Sequence, residues 1–341
     1  MNIYVYANQK GGVTKTTTAM TAALMARLSG KRVCLIDMDP QGNTTGGMGY
    51  DADALDHTVY TAMRGESTLQ QILKPTYIDR ASGAFFDPTN AQVMGDLGIS
   101  STDQALRGPD LLPNNILATS ADMELQEDPS WGNLLNGLLG QLVQHYDEFH
   151  IDTNPSLGRL TVNALLSATH VVIPMTPEVF SQQGMVALIR SILRAKRSNQ
   201  NLQVAGILYT RVRYATHQKI MARIRESVIP DINRQIAEQQ QARSPGQQGA
   251  LQVGFFDTVI NEAAAISDAA FRQSSVILTD PTGPISVQSW AFYVELLQRT
   301  GGSGLEAAKK NFDHVRELFE KARADERARR VQPGVASAKE G

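Results

Sequence analysis

Residues 8–18 are Asn-Gln-Lys-Gly-Gly-Val-Thr-Lys-Thr-Thr-Thr, and they directly follow a strand-like apolar run at residues 3–7. Two glycines, then a lysine and a hydroxyl residue, suit a loop that cradles phosphate groups. The glycines let backbone N–H groups turn toward phosphates, Lys15 supplies positive charge, and Thr16 can reach a magnesium ion. Residues 16–29 have the pattern of a helix whose positive N-terminal end would face those phosphates.

The loop departs from the general form of this motif at two positions. Thr14 stands where glycine usually precedes the second lysine, and Gln9 occupies the place of the usual first glycine. A short glycine motif can also be an ordinary strand-to-helix turn that binds nothing. A further lysine, Lys10, precedes the glycines and points to one branch of the nucleoside triphosphatases.

Composition is that of an ordinary globular protein, with 341 residues, 42% hydrophobic and 19% charged. The net charge of −2 argues against bulk affinity for nucleic acid, so any such binding needs a local basic patch. The single cysteine, Cys34, lies in an apolar run and excludes a disulfide framework or a multi-cysteine metal site within one chain. Neither a membrane span nor a secretion signal is recognisable, so we expect a cytoplasmic protein.

Strand-like and helix-like segments alternate along the chain. The first 45 residues predict strand, loop, helix and strand, with Gly30 at the end of the helix, a unit that needs a parallel sheet. We therefore predict an α/β fold with a mostly parallel, twisted sheet and helices on both faces. The further strands are expected at residues 148–152, 170–174 and 204–209, and the further helices at 132–145, 160–167, 181–197 and 217–228.

The sequence also predicts the domain organisation. Residues 1–300 would form one nucleotide-binding domain, in which 79–110 and 238–250 are insertions or flexible loops. Residues 301–330 contain apolar positions at three- and four-residue steps, which predicts an amphipathic helix. Its polar face carries acids as well as bases, so packing on the protein body or on a partner is favoured over a membrane foot. Residues 331–341 are expected to be a disordered tail.

Two acidic segments could complete a phosphate site, because parallel sheets place ligands at the carboxyl ends of their strands. Residues 37–43 are Asp-Met-Asp-Pro-Gln-Gly-Asn, and residues 152–158 are Asp-Thr-Asn-Pro-Ser-Leu-Gly. An acid in such a position can instead be a solvated strand end or a helix cap. The three elements in this order nevertheless favour a magnesium-dependent nucleotide site.

These three segments resemble the ParA family, the deviant-P-loop ATPases that partition plasmids and chromosomes. Weaker similarities at residues 108–118, 204–211 and 289–297 extend the resemblance over about residues 1–300. It implies the P-loop nucleoside triphosphatase fold, ATP and Mg²⁺ as ligands, and a slow ATPase that dimerises on ATP. It also implies non-specific DNA and a ParB-like centromere-binding or adaptor protein as partners, no membrane, and a place on the nucleoid.

The resemblance also implies roles for individual residues. Lys15 and the loop backbone would hold the β- and γ-phosphates, Lys10 would reach the partner's phosphates, and Asp39 would orient or activate the attacking water. Residues 37–46 and 152–158 would be switches that sense the γ-phosphate, and the loop at 258–262 would line the adenine pocket. The implied nucleotide-binding residues are Lys10, Gly11, Gly12, Val13, Thr14, Lys15, Thr16 and Thr17, with Thr17 on the α-phosphate. The implied magnesium residues are Thr16, as a direct ligand, and Asp37 and Asp152, through water.

Two basic clusters are candidates for DNA contact, although some of their members must be ordinary solvated helix faces. Three other functions stay open: positioning of a protein cargo, a MinD-like membrane ATPase, and an ATP-assembled scaffold or filament with little turnover. In the last, Thr14 and Asn154, which replaces a proline usual in the family, would disable hydrolysis. The clusters are Arg190, Arg194, Lys196 and Arg197, and Arg211, Arg213, Lys219 and Arg223.

Overall fold

A nine-stranded sheet runs through the part of the protein that the computed structural model describes, residues 1–178, 181–243 and 251–331. The strands are β1 (Asn2–Tyr6), β2 (Val33–Met38), β3 (Lys74–Ile78), β4 (Phe85–Phe86), β5 (Leu106–Leu112), β6 (Glu148–Thr153), β7 (His170–Met175), β8 (Gln203–Val212) and β9 (Phe255–Asn261). Their order across the sheet is β4-β3-β5-β2-β6-β1-β7-β8-β9. Neighbours run parallel, except that β3 is antiparallel to both β4 and β5.

Helices cover both faces of this sheet, as the sequence predicts. Along β1 the side chains of Ile3 and Val5 enter one core, and those of Tyr4 and Tyr6 enter the other. The first core receives α3 (Val59–Met63), α4 (Leu69–Ile72), α6 (Ala121–Glu124), α7 (Leu134–Gly140), α8 (Arg159–Ser167), α9 (Ser181–Ser198), α10 (Tyr214–Arg223) and α11 (Ile229–Arg243). The second receives α1 (Lys15–Leu28), α12 (Ala264–Phe271), α13 (Val276–Thr279), α14 (Pro284–Thr300) and α15 (Leu305–Val331). Two further short helices are α2 (Asn43–Gly47) and α5 (Ala91–Asp96).

The central strands are buried on both sides, which explains their continuous apolar sequences. All six residues of β2 are buried, and Cys34 among them is a core residue, as predicted. Gly30 ends the first helix region with a φ of 87°, the left-handed conformation expected of a glycine at a helix C-terminus. The α/β architecture predicted from the sequence is confirmed.

The segment at residues 79–110 differs from the loop or partly ordered subregion that its composition predicts. It contains β4, α5 and most of β5, and so forms part of the sheet. Gly108 and Pro109 interrupt the β5 pattern, but they are accommodated because the Thr76 hydroxyl on β3 donates to the Pro109 carbonyl at 2.5 Å. The expected loop at 258–262 is likewise mostly strand, since β9 pairs with β8 through residue 261.

Several predicted boundaries also change. The helix expected at 132–145 is shorter (α7), and the one expected at 217–228 is α10 followed by a π-helical turn, Ile224–Val228. Of the loop predicted at 238–250, residues 238–243 end α11 and residues 244–250 lie outside the described residues. The predicted disordered tail also lies outside them, apart from Val331, the last residue of α15.

Helix α15 packs on the protein body, in agreement with the pattern of the C-terminal region. Ala308 is fully buried, and Leu305, Phe312 and Val315 contact the second core. From residue 320 to residue 327 every position is exposed, so the helix leaves the body at its far end. Among the described helices, none is long and apolar enough to cross a membrane.

A buried ion pair anchors the N-terminal end of β6, the strand that carries Asp152 at its other end. Lys31 lies 2.5 Å from Glu148, with 7% and 2% of the two side chains exposed. The Tyr293 hydroxyl of α14 donates to the same Glu148 oxygen at 3.1 Å. Burial raises the pKa of Glu148, but His150 and Lys31 more than offset this and hold it below its usual value.

Candidate nucleotide and magnesium site

The loop between β1 and α1 is held in a conformation that only some of its residues adopt easily. Gly12 has a φ of 72° and Thr14 a φ of 63°, both in the left-handed region. For a β-branched residue such as Thr14 this backbone is an outlier, and outliers of this kind concentrate at functional sites. The Thr14 carbonyl begins α1 by accepting hydrogen bonds from the Thr18 amide at 2.9 Å and the Thr18 hydroxyl at 2.7 Å.

Lys15 lies inside the loop rather than on its surface. Its side chain is 7% exposed, and its ammonium donates to the Lys10 carbonyl at 3.2 Å across the loop. Burial lowers the pKa of Lys15, while the charges of Asp152 and Asp39 oppose that shift. A cation held here, among backbone N–H groups, is suited to bind an anion such as a phosphate.

The sheet register brings the two predicted acidic segments beside this loop. Tyr6 at the end of β1 pairs with Asp152 on β6, and Asp152 pairs with Asp37 on β2. Asp152 is fully buried, and one of its oxygens accepts hydrogen bonds from Thr16 at 2.6 Å and Thr44 at 2.8 Å. Its other oxygen has no hydrogen-bond partner among the described residues. Three strands that are distant in sequence therefore contribute to one site.

Asp37 is buried beneath the turn that follows β2. One of its oxygens accepts the Asp39 amide at 3.0 Å, and the other accepts the Thr45 amide and hydroxyl at 2.9 and 2.8 Å. Asp39 in turn accepts the Gln41 amide at 3.0 Å. These bonds fix the turn and hold the Asp39 carboxylate, which is 7% exposed, at the carboxyl end of the sheet.

The apoprotein disfavours the charged form of both buried carboxyl groups. Burial and, after it, the Asp152 charge raise the pKa of Asp37 to about 8, against the hydrogen bonds from Thr45 and Asp39. Burial also raises the pKa of Asp152 to about 6, against the hydroxyl bonds from Thr16 and Thr44. A nearby divalent cation would favour the charged form of both groups.

The available oxygens fit magnesium in particular. Mg²⁺ keeps several of its waters and binds proteins through few oxygen ligands. The Thr16 hydroxyl and the unpartnered Asp152 oxygen are such groups, and Asp37 lies beside them in the register. Within the described residues no group of three or more His, Cys, Asp or Glu side chains could hold a metal ion.

Lys10 lies on the rim of the loop and pairs with Glu178, which follows β7. Both side chains are partly exposed, at 35% and 52%, so the pair contributes little to stability. The Glu178 partner was not foreseen from the sequence, because it is 168 residues away. Within this single chain the Lys10 ammonium therefore remains on its own side of the site.

A small cavity of about 30 Å³ opens beside the start of α1. Thr14 and Thr17 form one wall, and Ile260 of the segment predicted to line the adenine pocket contributes to the other. The rest of the lining is mixed, with apolar side chains from Leu208, Ile266, Val276, Ile285 and Phe292 and polar ones from Thr18, Thr21, Arg211 and Ser289. The cavity lies beside the phosphate loop, and Ile260 brings the segment expected to line the adenine pocket to it.

The structure separates the members of the two basic clusters. On α9, Arg190, Arg194 and Arg197 are exposed, whereas Lys196 donates to the carbonyls of Gln200 and Leu202 at 3.1 and 2.7 Å. Lys219 and Arg223 are exposed on α10. Arg211 and Arg213 both pair with Glu262 beside the phosphate loop.

Sequence reasoning missed the hydroxyls that complete the site. Thr44 and Thr45 follow the first acidic segment directly, so an Asp-rich turn followed by two threonines was an available signal. Thr210, whose hydroxyl donates to the Val13 carbonyl at 3.1 Å, gave no local signal because its partner is 197 residues away.

A strand–loop–helix unit with a buried lysine, and acids at the ends of the two neighbouring strands, defines a P-loop nucleotide-binding protein. The family model described as an AAA domain matches residues 1–204. The chain belongs to the ParA family of P-loop ATPases.

Individual relatives agree with that membership. The sporulation initiation inhibitor protein Soj of Bacillus subtilis is 27% identical over 303 residues, which cover 89% of this chain and 99% of Soj. The chromosome-partitioning ATPase Soj of Treponema pallidum is 30% identical, over 66% of this chain and 76% of the relative. Among solved structures, cobyrinic acid a,c-diamide synthase from Mycobacterium smegmatis with bound ADP and magnesium has a TM-score of 0.55 at 26% identity, covering 74% of this chain and 99% of the synthase.

Proposed function

We propose that this chain is a ParA-type ATPase that binds ATP with Mg²⁺ at the loop of residues 8–18 and hydrolyses it slowly. The observation that carries the proposal is the convergence of Lys15, Thr16 and Asp152. The first two begin α1, the third ends β6, and the Thr16–Asp152 hydrogen bond of 2.6 Å joins them. A purely structural turn has no need of a buried lysine beside two buried carboxylates with raised pKa values.

Each group has a task in phosphoryl transfer, which depends mostly on positioning and charge neutralisation. Lys15 and the amides of residues 11–16 bind the β- and γ-phosphates, and Thr17 contacts the α-phosphate. Thr16 would hold Mg²⁺ directly, and Asp37 and Asp152 would hold it through water; the ion would supply positive charge next to the phosphates. Asp39 orients the attacking water, and the Gln41 amide fixes the carboxylate for that role.

We propose that two chains pair around their bound nucleotides. Lys10 then leaves Glu178 and contacts the phosphates of the partner, which makes ATP part of the dimer interface. The exposed Lys10–Glu178 pair opposes this movement only weakly, because partly exposed ion pairs contribute about 0–1 kcal/mol. Hydrolysis would remove the γ-phosphate that the partner's lysine holds, and the dimer would separate. Segments 37–46 and 152–158 would report that loss.

The exposed basic residues of α9 and α10 are the proposed DNA contacts. Arg190, Arg194 and Arg197 are spaced by four and three residues and therefore share one helix face. Lys219 and Arg223 do the same on α10. No carboxylate of the described residues lies within ion-pair distance of these five side chains. Lys196, Arg211 and Arg213 are left out of this surface, because each is occupied by other groups of the chain.

Such a cycle would move cargo along DNA in the cytoplasm, with the ATP-bound dimer on the nucleoid. A ParB-like partner would stimulate hydrolysis and release the dimer. Plasmid or chromosome partition is the proposed role, in line with the name of the chromosome-partitioning ATPase Soj of Treponema pallidum. Positioning of a protein cargo would use the same cycle, and an assembled scaffold with little turnover would use only its first half.

DNA binding by purified protein tests the DNA and dimer steps together. With ATP and Mg²⁺ we expect affinity for a random-sequence duplex that falls steeply with salt, because phosphate contacts release counterions. With ADP, or in Lys10→Ala with ATP, both the dimer mass and the DNA affinity should fall. Replacing Arg190, Arg194 and Arg197 by glutamine should weaken DNA binding without changing the dimer mass.

The matched control replaces exposed arginines elsewhere, Arg234→Gln and Arg272→Gln, whose side chains are 68% and 65% exposed. Equal DNA binding by ADP-bound and ATP-bound protein would contradict the proposed switch. Dimers that bind DNA but release no phosphate, even with a partner present, would favour the scaffold over the motor.

A further inference from the structure

Two consecutive carbonyls of the phosphate loop are tied to the end of β8. The buried Thr210 hydroxyl donates to the Val13 carbonyl at 3.1 Å. The Arg211 guanidinium donates to the Gly12 carbonyl at 3.2 Å. No role in nucleotide binding follows for either residue from the phosphate-loop motif, since both lie about 200 positions further along the chain.

Peptide geometry gives these two bonds a consequence for the phosphate site. In a planar trans peptide the C=O and the following N–H point in opposite directions. Fixing the carbonyls of Gly12 and Val13 therefore aims the N–H groups of Val13 and Thr14 away from β8. Neither of those N–H groups donates to any other group in the described residues. They are free to bind an anion on the far side of the loop.

The arginine is itself fixed. Its second nitrogen donates to Glu262 at 3.0 Å, and the Glu262 amide donates to the Val212 carbonyl at 3.1 Å, which ties the end of β9 to β8. Arg211 has a φ of 52° and is one of three non-glycine residues with positive φ in the described parts of the chain. Thr14 is another of the three, so strained backbone lies on both sides of this contact.

We propose that Thr210, Arg211 and Glu262 form a clasp that holds the loop in its phosphate-binding shape. They are positioning residues, because they act through the loop backbone and not on the nucleotide. The clasp matters in this chain because Thr14 replaces the flexible glycine, and external bonds must hold its left-handed backbone. The inference rests on the proposed binding of ATP at this loop.

A matched pair of substitutions tests the clasp. Arg211→Met and Arg213→Met each remove one ion pair with Glu262 and keep an unbranched side chain, but only Arg211 contacts the loop. Arg211→Met should weaken ATP and ADP binding, measured without DNA, by about fivefold, the loss expected for a half-exposed charged hydrogen bond. Arg213→Met should stay within about twofold of wild type. In steady-state kinetics of ATP hydrolysis, the kcat of Arg211→Met should change less than its KM for ATP. Arg211→Lys should recover part of the ATP affinity.

Thr210→Val separates positioning from direct contact with phosphate. It removes a neutral hydroxyl that bonds the Val13 carbonyl, and we expect about a threefold loss of ATP affinity. A loss in Arg211→Met without any loss in Thr210→Val would mean that the arginine charge acts on the nucleotide directly, and would overturn the clasp. Equal losses in Arg211→Met and Arg213→Met would overturn it as well.

Lys15→Ala in the same assay distinguishes failure of the clasp from failure of ATP binding at the loop. If Lys15→Ala binds ATP normally, the proposed function fails. If Lys15→Ala loses ATP and Arg211→Met does not, only the clasp fails. Thermal unfolding without nucleotide checks that each variant is folded. If Arg211→Met does not fold, the single variants Thr210→Val and Arg211→Lys provide the test.

Discussion

Thr14 carries a strained backbone at the point where the phosphate loop becomes helix α1. Left-handed backbone costs an L-amino acid roughly 1–2 kcal/mol, and branching at Cβ makes Thr14 a poor candidate for it. Its side chain makes no capping hydrogen bond that would repay this cost. The chain therefore keeps the loop geometry at some expense in stability, as functional sites often do.

Replacing Thr14 by glycine should stabilise the apoprotein. Relief of the left-handed strain outweighs the greater unfolded-state entropy of glycine, so the free energy of unfolding should rise by about 0.5–1 kcal/mol. Urea unfolding measures the change. Thr14→Ala keeps a Cβ and should change stability by less than about 0.5 kcal/mol. A glycine variant less stable than wild type would mean that the threonine side chain stabilises the loop by contacts of its own.

Asp37 and Asp152 also lower the stability of the folded protein when they are charged. Because the folded pKa values, about 8 and about 6, lie above the unfolded ones, the folded state holds these protons more tightly. Stability of the metal-free protein is therefore lost as pH rises from about 4 toward 8. This loss is the expected cost of holding two carboxylates ready for a cation.

Asp152→Asn should remove part of that cost, and should remove much more of it at alkaline than at acid pH. An asparagine oxygen can accept the same bonds from Thr16 and Thr44, while the charge beside Asp37 disappears. In EDTA the free energy of unfolding should rise by about 2 kcal/mol at pH 8 and by less than about 0.5 kcal/mol at pH 4, where the native carboxyl is protonated and the unfolded one is only about half ionised. Urea titrations at the two pH values measure this. A gain that is equal at both values would show that charge is not its cause, and the variant should also lose Mg²⁺-dependent ATP hydrolysis.

At the scale of elements, the sequence predicts well those strands that are buried on both faces. β1, β2, β7 and β8 have near-continuous apolar runs, and the loop glycines mark the first turn. β5 was missed because Gly108 and Pro109 break its pattern, and β9 because polar residues interrupt it. Both are strands through tertiary pairing, which local propensity does not encode.

The residues of the candidate site also differ in how well the sequence predicts them. Lys15, Asp39 and Asp152 could be predicted, because each is a charged residue within a short motif. The parallel order of the strands then places these motifs at one edge of the sheet. The Thr44–Asp152 bond and the contacts of Glu178 and Thr210 join chain segments more than a hundred residues apart in sequence. Only the folded register reveals them.

Helix α15 offers a matched test of what its inner half contributes. Phe312 and Phe319 each lie under an arginine four residues later, at 5.4 and 5.5 Å, but Phe312 also packs on the second core. Phe312→Ala should lower the free energy of unfolding by about 1–2 kcal/mol through lost apolar burial. Phe319→Ala should change it by less than about 0.5 kcal/mol. Equal effects in urea unfolding would mean that the outer half of α15 is also packed.

At the scale of the whole molecule, the sheet order explains why one end carries the chemistry. The carboxyl ends of β1, β2, β6 and β8 meet there, and they bring the loop, both acidic segments and the clasp together. The net charge is close to neutral, so the proposed DNA surface depends on four arginines and one lysine of α9 and α10 that form no ion pair with the described residues. Nucleotide binding at one end would thus control an assembly with only local affinity for DNA.

Calorimetric titration of the protein with ATP in the presence of Mg²⁺ tests the central claim most directly. Wild type should bind one ATP per chain, and Lys15→Ala should lose at least about tenfold in affinity, because it removes a buried charge from the phosphate site. Lys309→Ala, which removes an exposed lysine of α15, is the control and should bind as wild type does. If Lys15→Ala binds ATP with unchanged affinity, the loop of residues 8–18 is not the nucleotide site.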